Sequence, residues 1–494
     1  MKANIRYSVV VNLIRTITMT VLSLVTFPLV CRILGDSALG TYTWAASFIY
    51  YFIILSKISI PNIAVRECAK VKDDPVKLSM KVQEFFILQA IMSVLSFGLM
   101  VALVFLVPSF KDNSSLIFIL SLNFLSSVFA FEWLFTALEK HTYLAIRSII
   151  ILALSDILIF ALIKRADDLW LYAFLVTLVA ILTMVSNLIY MPSLLKFKKE
   201  GKYNFKQYIP MLRVMFVISM LVAIYSKTDS FILGFIDESK ASVGTYSVGM
   251  KGVDIVIGLI IALSAVFMPR ASYLYANDEL KEYKKLNIFS SNLCFVIVVP
   301  AIALMVAMAS PITKLISGVV GYYDADLVLI ALAALMLTYS LCNIIYTQIL
   351  IPQKREKIYL IAMSIGCALN IGLSLLFGMV IFKDSPAFGV AIATTITDAV
   401  VLVTLLGFTW SDSKSMLFNF DNLKILILGG ALWAFAFFVG PLIQKALDPK
   451  IGTEMAMLSE IGIIFISSAI IYLIGLILLK EKIVRTMFRS DDRE

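Results

Sequence analysis

The sequence predicts an all-α membrane protein of about fourteen transmembrane helices. Of the 494 residues, 61% are hydrophobic and only 15% are charged, and the mean hydropathy is +0.95. Soluble domains are usually about half apolar and about a quarter charged. Apolar segments recur from Val9 to Leu479 with no polar domain between them. One membrane domain is therefore expected, with lipid as the solvent for much of the chain.

Fourteen apolar segments have roughly the length of about 20 residues that a helix needs to cross a bilayer. Each is predicted to be a helix, because backbone groups in hydrocarbon must form hydrogen bonds within their own segment. The predicted spans are 8–33, 40–64, 84–107, 115–138, 148–164, 169–192, 212–236, 244–268, 287–310, 327–351, 359–382, 387–410, 425–443 and 458–479.

The distribution of basic residues predicts the orientation of these spans. Lys and Arg are concentrated in alternate short loops, on the side that also holds both termini. Loops rich in Lys and Arg stay in the cytoplasm. We therefore expect both termini to be cytoplasmic in a multi-pass protein of the bacterial inner membrane.

A weak internal repeat predicts the domain organisation. Ile33-Leu34-Gly35 precedes Gly40-Thr41-Tyr42 at the exit of span 1 and the entry of span 2. Ile232-Leu233-Gly234 precedes Gly244-Thr245-Tyr246 in the same way at spans 7 and 8. Six helices separate the two copies, which is typical of a parallel repeat of two bundles. The predicted divisions are an N-terminal six-helix bundle over 1–192, a cytoplasmic basic linker over 193–211, a C-terminal six-helix bundle over 212–410, and helices 13–14 with a cytoplasmic tail over 411–494.

Enzyme chemistry has little support in the sequence. There is no G-x-x-x-x-G-K-[ST] motif for a nucleotide, and the five cysteines show no C-x-x-C spacing. Asp324-Ala325-Asp326 could be the metal-binding D-x-D of a glycosyltransferase, but a solvated loop before span 10 is the favoured interpretation. We expect no catalytic residue, metal or cofactor, and no nucleic-acid partner despite the net charge of +9.

Four basic residues lie inside predicted spans, where charge is costly and usually faces a cavity or a partner. Arg15 lies about 10 Å into span 1, at about 1.5 Å per residue, and is predicted to line a cavity. Lys57 is near the end of span 2 and could instead extend to the membrane surface. Lys227 and Lys251 occupy spans 7 and 8. Together these cations would suit a diphosphate, which Arg grips as a fork and Lys as a point charge.

Other polar groups extend the same helix faces. Asn12, Ser47 and Tyr50 are predicted to add polar side chains to the cavity. Lys251 and Asp254 are three residues apart and could form a structural pair instead. The acids inside spans, each a candidate for ion coupling or for a structural pair, are Asp156, Asp229, Asp254 and Asp398.

Five groups of residues occur in order at fitting topological positions. They are Asn12 to Pro28 with Arg32-Ile33-Leu34-Gly35, Glu132-Trp133-Leu134-Phe135 with Ile146-Arg147-Ser148, Val243-Gly244-Thr245-Tyr246-Ser247, Gln348-Ile349-Leu350-Ile351-Pro352, and Asn370 with Phe388-Gly389-Val390-Ala391. Over nearly all of spans 1–12 the chain resembles the polysaccharide-biosynthesis (Wzx-type) flippases of the multidrug/oligosaccharidyl-lipid/polysaccharide exporter superfamily. Asp398 departs from the family pattern, which has Glu there.

This resemblance implies a MATE-like fold of two six-helix bundles around a central cavity, with two extra C-terminal helices. It implies a substrate, an undecaprenyl-diphosphate-linked oligosaccharide repeat unit for O-antigen, capsule or another surface polysaccharide, flipped to the outer leaflet by alternating access. The implied partners are this glycan, membrane lipid and the polysaccharide polymerase and ligase machinery, and a monomer is expected. The alternatives are a multidrug or cation antiporter of the same superfamily, a peptidoglycan lipid precursor flippase and a membrane glycosyltransferase.

Overall fold

The computed structural model describes residues 2–195, 203–318 and 321–479, without the side chains of 2–10, 12–14, 214 and 451. The side chain of Asn12, residues 196–202 of the predicted linker and the tail 480–494 therefore lie outside the described residues. Regular structure in the described ranges is helical, and no strand occurs there. The predicted all-α class is confirmed.

The described chain forms two compact units. Unit 1 contains Met1–Gly234 with Ser239–Ala241, and unit 2 contains Phe235–Glu238 with Ser242–Glu494. The helices of unit 1 are α1 (Lys2–Lys57), α2 (Ile60–Ala69), α3 (Pro75–Leu106), α4 (Pro108–Asp112), α5 (Ser114–Ser121), α6 (Asn123–Phe129), α7 (Glu132–Ala137), α8 (His141–Leu162), α9 (Leu169–Tyr190) and most of α10 (Ile209–Ile236).

Unit 2 begins with the last residues of α10 and holds the remaining helices. They are α11 (Ala241–Ala276), α12 (Leu280–Ala307), α13 (Ala309–Ser317), α14 (Ala325–Ile345), α15 (Glu356–Leu376), α16 (Pro386–Leu417), α17 (Phe420–Ile451) and α18 (Thr453–Leu478). Single π-helical turns, Tyr346–Leu350 and Phe377–Ile381, follow α14 and α15. The two C-terminal helices pack on α12, and Tyr472 Oη donates a hydrogen bond to the Val296 carbonyl at 2.9 Å.

Thirteen helical segments of the described chain are long and apolar enough to cross a membrane. The first, Arg15–Ala69, has 55 residues and contains predicted span 2 and the larger part of predicted span 1, from Arg15 onwards. These spans meet at Gly35, whose backbone leaves the helix at φ 76° and ψ 175°. The repeat motif Ile33-Leu34-Gly35 therefore marks the point where span 1 ends.

Replacing Gly35 with alanine is expected to destabilise the protein by about 1–3 kcal/mol. The φ/ψ values of Gly35 lie in a region that is open to glycine and strained for residues with a Cβ. No atom lies within 4 Å of the added Cβ, so the cost would come from the backbone alone. Thermal unfolding in detergent measures it, with Gly98→Ala as control. Gly98 also has open space but a helical backbone, so a similar loss in both variants would contradict this explanation.

Helix α10 packs on the second half of α1, which corresponds to predicted span 2. The ring of Phe231 stacks on that of Phe48 at 6.5 Å and meets Tyr51 edge-on at 5.4 Å. Aromatic pairs at such distances stabilise contacts beyond the apolar area that they bury. Most of α10 therefore belongs to unit 1, whereas the predicted C-terminal bundle, 212–410, includes this helix. That grouping stays a prediction.

Candidate functional site

Predicted span 2 is broken inside the membrane-length segment. Helix α1 ends at Lys57, the next two residues have left-handed backbones (Ile58 φ 41°, Ser59 φ 57°), and α2 begins at Ile60. Ser59 Oγ donates to the Met215 carbonyl of α10 at 2.9 Å. Non-helical backbone at membrane depth is tolerated where protein or an aqueous cavity covers it. The contact with α10 thus supports a break that leaves Lys57 at a helix end.

Predicted span 4 is broken in a similar way. Helix α6 ends at Phe129, Phe131 has a left-handed backbone at φ 48°, and α7 begins at Glu132. Helices α2 and α7 pack together in one apolar cluster that includes the buried Phe131 and Ile63. As a result Glu132 lies within electrostatic range of Lys57.

A buried arginine network holds the break of span 4. Arg147 of α8 forms an ion pair with Glu132, with 2.5 Å between Nη2 and Oε1, and its Nη1 donates to Asn187 Oδ1 at 2.6 Å. Asn187 of α9 donates in turn to the Ala130 carbonyl at the break, and Tyr143 Oη donates to Asn187 Oδ1 at 3.1 Å. The Arg147 side chain is only 5% exposed, whereas that of Glu132 is 47% exposed. The network therefore fixes Glu132 from its buried side.

Two residues that the sequence assigned to the cavity are brought together in unit 1. Lys227 Nζ of α10 lies 5.7 Å from the ring centroid of Tyr50, and both side chains are half-buried. A cation over a ring face is attracted by the ring quadrupole. Ser47 is buried and donates to the Thr43 carbonyl at 2.8 Å, so its hydroxyl is satisfied by its own helix.

Arg15 is half-buried in α1, and among the described side chains no acid pairs with it. The acids Asp156 and Asp229 are both buried in unit 1. The Asp156 carboxylate of α8 lies near the Thr26 hydroxyl of α1. Asp156 therefore lies at the contact between these two helices.

The predicted charges of unit 2 lie on α11 and α16. Lys251 is half-buried and Asp254, one turn later, is exposed. Asp398 of α16 is buried, and both acids are within electrostatic range of Tyr339 on α14. Tyr359 of α15 is also near Asp398. Unit 2 therefore gathers two acids and two tyrosines from four helices.

Comparison with known proteins identifies the family. Residues 5–275 match the family described as "Polysaccharide biosynthesis protein", which is more than half of the chain. The chain belongs to this polysaccharide biosynthesis protein family. A protein of Escherichia coli (strain K12) described as "Putative O-antigen transporter" is 22% identical over 396 residues, 78% of this chain and 92% of that relative. The family resemblance inferred from the sequence is confirmed.

Solved structures share the fold of this family member at low identity. The lipid II flippase MurJ in an inward closed conformation has a TM-score of 0.66 and 17% identity, and the match covers 95% of this chain and 99% of MurJ. The MATE multidrug transporter DinF-BH, solved in complex with R6G, has a TM-score of 0.57 and 13% identity, and covers 85% and 97%. An inward-facing MATE family multidrug resistance transporter has a TM-score of 0.56 and 13% identity, and covers 82% and 98%. The predicted MATE-like membrane fold is confirmed.

The polysaccharide biosynthesis family match contains both broken helices, the Arg147 network and three further cations, Arg15, Lys227 and Lys251. Asp398 lies outside the matched segment. The segment that matches the family therefore contains the cations of the candidate site.

Sequence reasoning missed two charged networks because both lie where span ends were misplaced. Arg147 stands one residue before the predicted span 148–164, yet α8 begins at His141. Glu84 is the first residue of the predicted span 84–107, yet α3 begins at Pro75 and Glu84 is buried. One feature of the sequence could have indicated both networks. In each case a charged residue lies within one helical turn of the start of an apolar segment.

Glu84 connects α3 to the chain that follows the predicted linker. It accepts hydrogen bonds from the Asn204 amide at 2.7 Å and from Tyr208 Oη at 2.6 Å, and Lys81 Nζ lies at 3.6 Å. Burial first, and then the hydrogen bond to Glu84, raises the pKa of the Tyr208 phenol above its ordinary value. The hydrogen bond between the neutral Tyr208 phenol and the Glu84 carboxylate therefore connects α3 to the chain just before α10.

Proposed function

We propose that this membrane transporter is a flippase that moves undecaprenyl-diphosphate-linked oligosaccharide repeat units from the inner to the outer leaflet of the bacterial inner membrane. The observation that carries the proposal is the pair of broken helices in unit 1, which leaves Lys57 at the end of α1 inside a membrane-length segment. Broken helices at this depth are typical of substrate sites in transporters, since their ends carry partial charges. A diphosphate is an anion that a lysine attracts as a point charge, and the positive N-terminal end of a helix such as α2 attracts an anion as well.

The proposed path of the substrate uses the cations of unit 1. Arg15 and Lys57 would bind the diphosphate, while Lys227, beside Tyr50, adds positive charge and an aromatic face. The sugars would follow into polar surroundings and the polyprenyl tail would remain in lipid. Alternating access would then open the site to the other leaflet. The glycan would be a repeat unit of O-antigen, capsule or another surface polysaccharide.

The accompanying topology and partners are part of the same proposal. Both termini would be cytoplasmic, as the positive-inside rule indicates. The chain would work as a monomer alongside polysaccharide polymerase and ligase proteins, and it would perform transport rather than catalysis.

The test uses a strain that lacks this gene. Mass spectrometry would follow its lipid-linked oligosaccharides, and a membrane-impermeant sugar-modifying reagent would report their leaflet. We expect single repeat units to accumulate in the inner leaflet, and the intact gene to restore their transfer. A pool of normal size and normal leaflet distribution would exclude the flippase function.

A second candidate function, cation or drug antiport, is favoured by the acids and tyrosines of unit 2. Asp254 and Asp398 near Tyr339 would suit a cationic guest better than an anion. This candidate predicts dye efflux driven by an ion gradient, with Asp254→Asn and Asp398→Asn inactive and Lys57→Gln active. The flippase proposal predicts the opposite dependence on Lys57, so one set of variants separates the two functions.

A further inference from the structure

Three charged residues lie at or next to the two helix breaks of unit 1. Lys57 is the last residue of α1, Glu132 is the first residue of α7, and Arg147 of α8 contacts Glu132. Because α2 packs on α7, the two breaks are neighbours, and the Glu132 carboxylate is within electrostatic range of the Lys57 ammonium. This part of unit 1 therefore holds two positive charges and one negative charge.

The two cations differ in what they can bind. Arg147 is buried, and its two terminal nitrogens are occupied by Glu132 and Asn187. Arg147 therefore cannot bind an incoming anion without losing buried hydrogen bonds, which is costly. Lys57 is half-buried, and no direct ion pair with it occurs among the described residues. Of these two cations, only Lys57 can bind an incoming anion.

Glu132 interacts with both cations, through an ion pair with Arg147 and at longer range with Lys57. Its Oε1 is held by Arg147, while 47% of its side chain stays exposed. A fixed negative charge near Lys57 weakens the attraction of Lys57 for any second anion, and salt screens partly buried charges less than exposed ones. Glu132 therefore sets how much positive charge Lys57 presents.

We propose that Glu132 is an internal counter-anion of Lys57, held in place by Arg147, and that it limits how tightly the diphosphate of a lipid-linked substrate is bound. The proposal rests on the proposed function, which it deepens by naming a residue that opposes binding. A transporter must release what it carries, and a site that binds too strongly slows release. Glu132 weakens the bound state and thereby favours turnover, and Arg147 acts as its positioning residue.

The experiment measures binding of undecaprenyl diphosphate, and separately of inorganic diphosphate, to the purified full chain in lipid nanodiscs. Glu132→Gln is expected to bind the diphosphate about five- to tenfold more tightly, since one repelling charge is removed. Its transport rate in cells is expected to fall, because release becomes slower. The matched control is Glu139→Gln. Glu139 forms an exposed ion pair with Lys72 at 2.8 Å outside the spans, and its loss should leave affinity within about twofold of the original.

A second pair of variants tests the role of Arg147. Arg147→Gln releases Glu132 to pair with Lys57, so diphosphate binding should weaken. The double variant Arg147→Gln/Glu132→Gln should bind as tightly as Glu132→Gln, because Arg147 acts only through Glu132. If Arg147→Gln does not fold, Arg147→Lys keeps the charge but loses the fork, and the same comparison applies.

The outcomes separate this proposal from the proposed function. If the original chain binds undecaprenyl diphosphate and Lys57→Gln abolishes that binding, but Glu132→Gln binds no more tightly, the counter-anion role is wrong and the flippase function stands. If the original chain binds neither diphosphate probe, the proposed function fails and the counter-anion role fails with it.

Discussion

Lys57→Gln is expected to reduce transfer of lipid-linked oligosaccharides between leaflets by about 10–100-fold. The reason is the position of Lys57 between the end of α1 and the N-terminal end of α2, with a half-buried side chain that has no ion pair among the described residues. A hydrogen bond to a charged group contributes about 1.5–3 kcal/mol, which corresponds to this range of rates. Leaflet-specific labelling of the oligosaccharide pool, in cells that express only the variant, measures the change.

Two control variants accompany this prediction. Lys57→Arg keeps the positive charge and should retain a large part of the transport. Lys77→Gln removes a lysine from unit 1 that is 72% exposed and pairs with Asp74 at 3.1 Å, so transport should be unchanged. Equal losses in Lys57→Gln and Lys77→Gln would show that general surface charge matters and not the helix break. Full transport by Lys57→Gln would remove Lys57 from the site.

Gly234→Ala is expected to cause the largest loss of stability of any single change considered, about 3 kcal/mol or more. A Cβ at this position would lie 2.0 Å from Cδ1 of Trp44, closer than any real contact. The Trp44 side chain is fully buried and stacks on Phe110 at 5.3 Å, so it has no space to move. Overpacking of this kind typically costs about 1–3 kcal/mol and sometimes more. The midpoint of thermal unfolding in detergent reports the loss.

A matched glycine and a compensating change test the cause. Gly372 lies in α15, and no atom approaches within 4 Å of an added Cβ, so Gly372→Ala should be neutral or stabilising by about 0.5–1 kcal/mol. Adding Trp44→Leu to Gly234→Ala should recover part of the stability, because the clashing ring is removed. An unfolding midpoint of Gly234→Ala equal to that of the original protein would mean that α10 and α1 are not in close contact at this point.

The repeat that the sequence revealed has a different physical basis in each copy. Gly35 is needed for its positive φ, and nothing lies near its missing Cβ. Gly234 is inside a regular helix and is needed because Trp44 packs against it. Both glycines end the same tripeptide, so the sequence alone could show that they correspond but not why each is required.

The helix breaks show the limit of sequence reasoning for the candidate site. Ile58 and Phe131 are apolar residues that would fit a continuous span. A proline such as Pro61 is common in the first turn of helices in general, so its presence does not identify a break. The left-handed backbones at the two breaks are stabilised by contacts with distant segments, such as Ser59 with Met215 of α10. A contact across more than 150 residues leaves no local signal in the sequence.

The sequence by itself determined the membrane class, the apolar segments, the family and the set of cations inside the predicted spans, because hydropathy and charge are properties of single residues and short windows. The tertiary structure alone decided which of these charges meet. It paired Glu132 with Arg147 within electrostatic range of Lys57, set Lys227 over Tyr50 and made most of α10 part of unit 1. The physical reason is that the free energy of a charged side chain inside a membrane depends on the groups around it, and those groups belong to other helices.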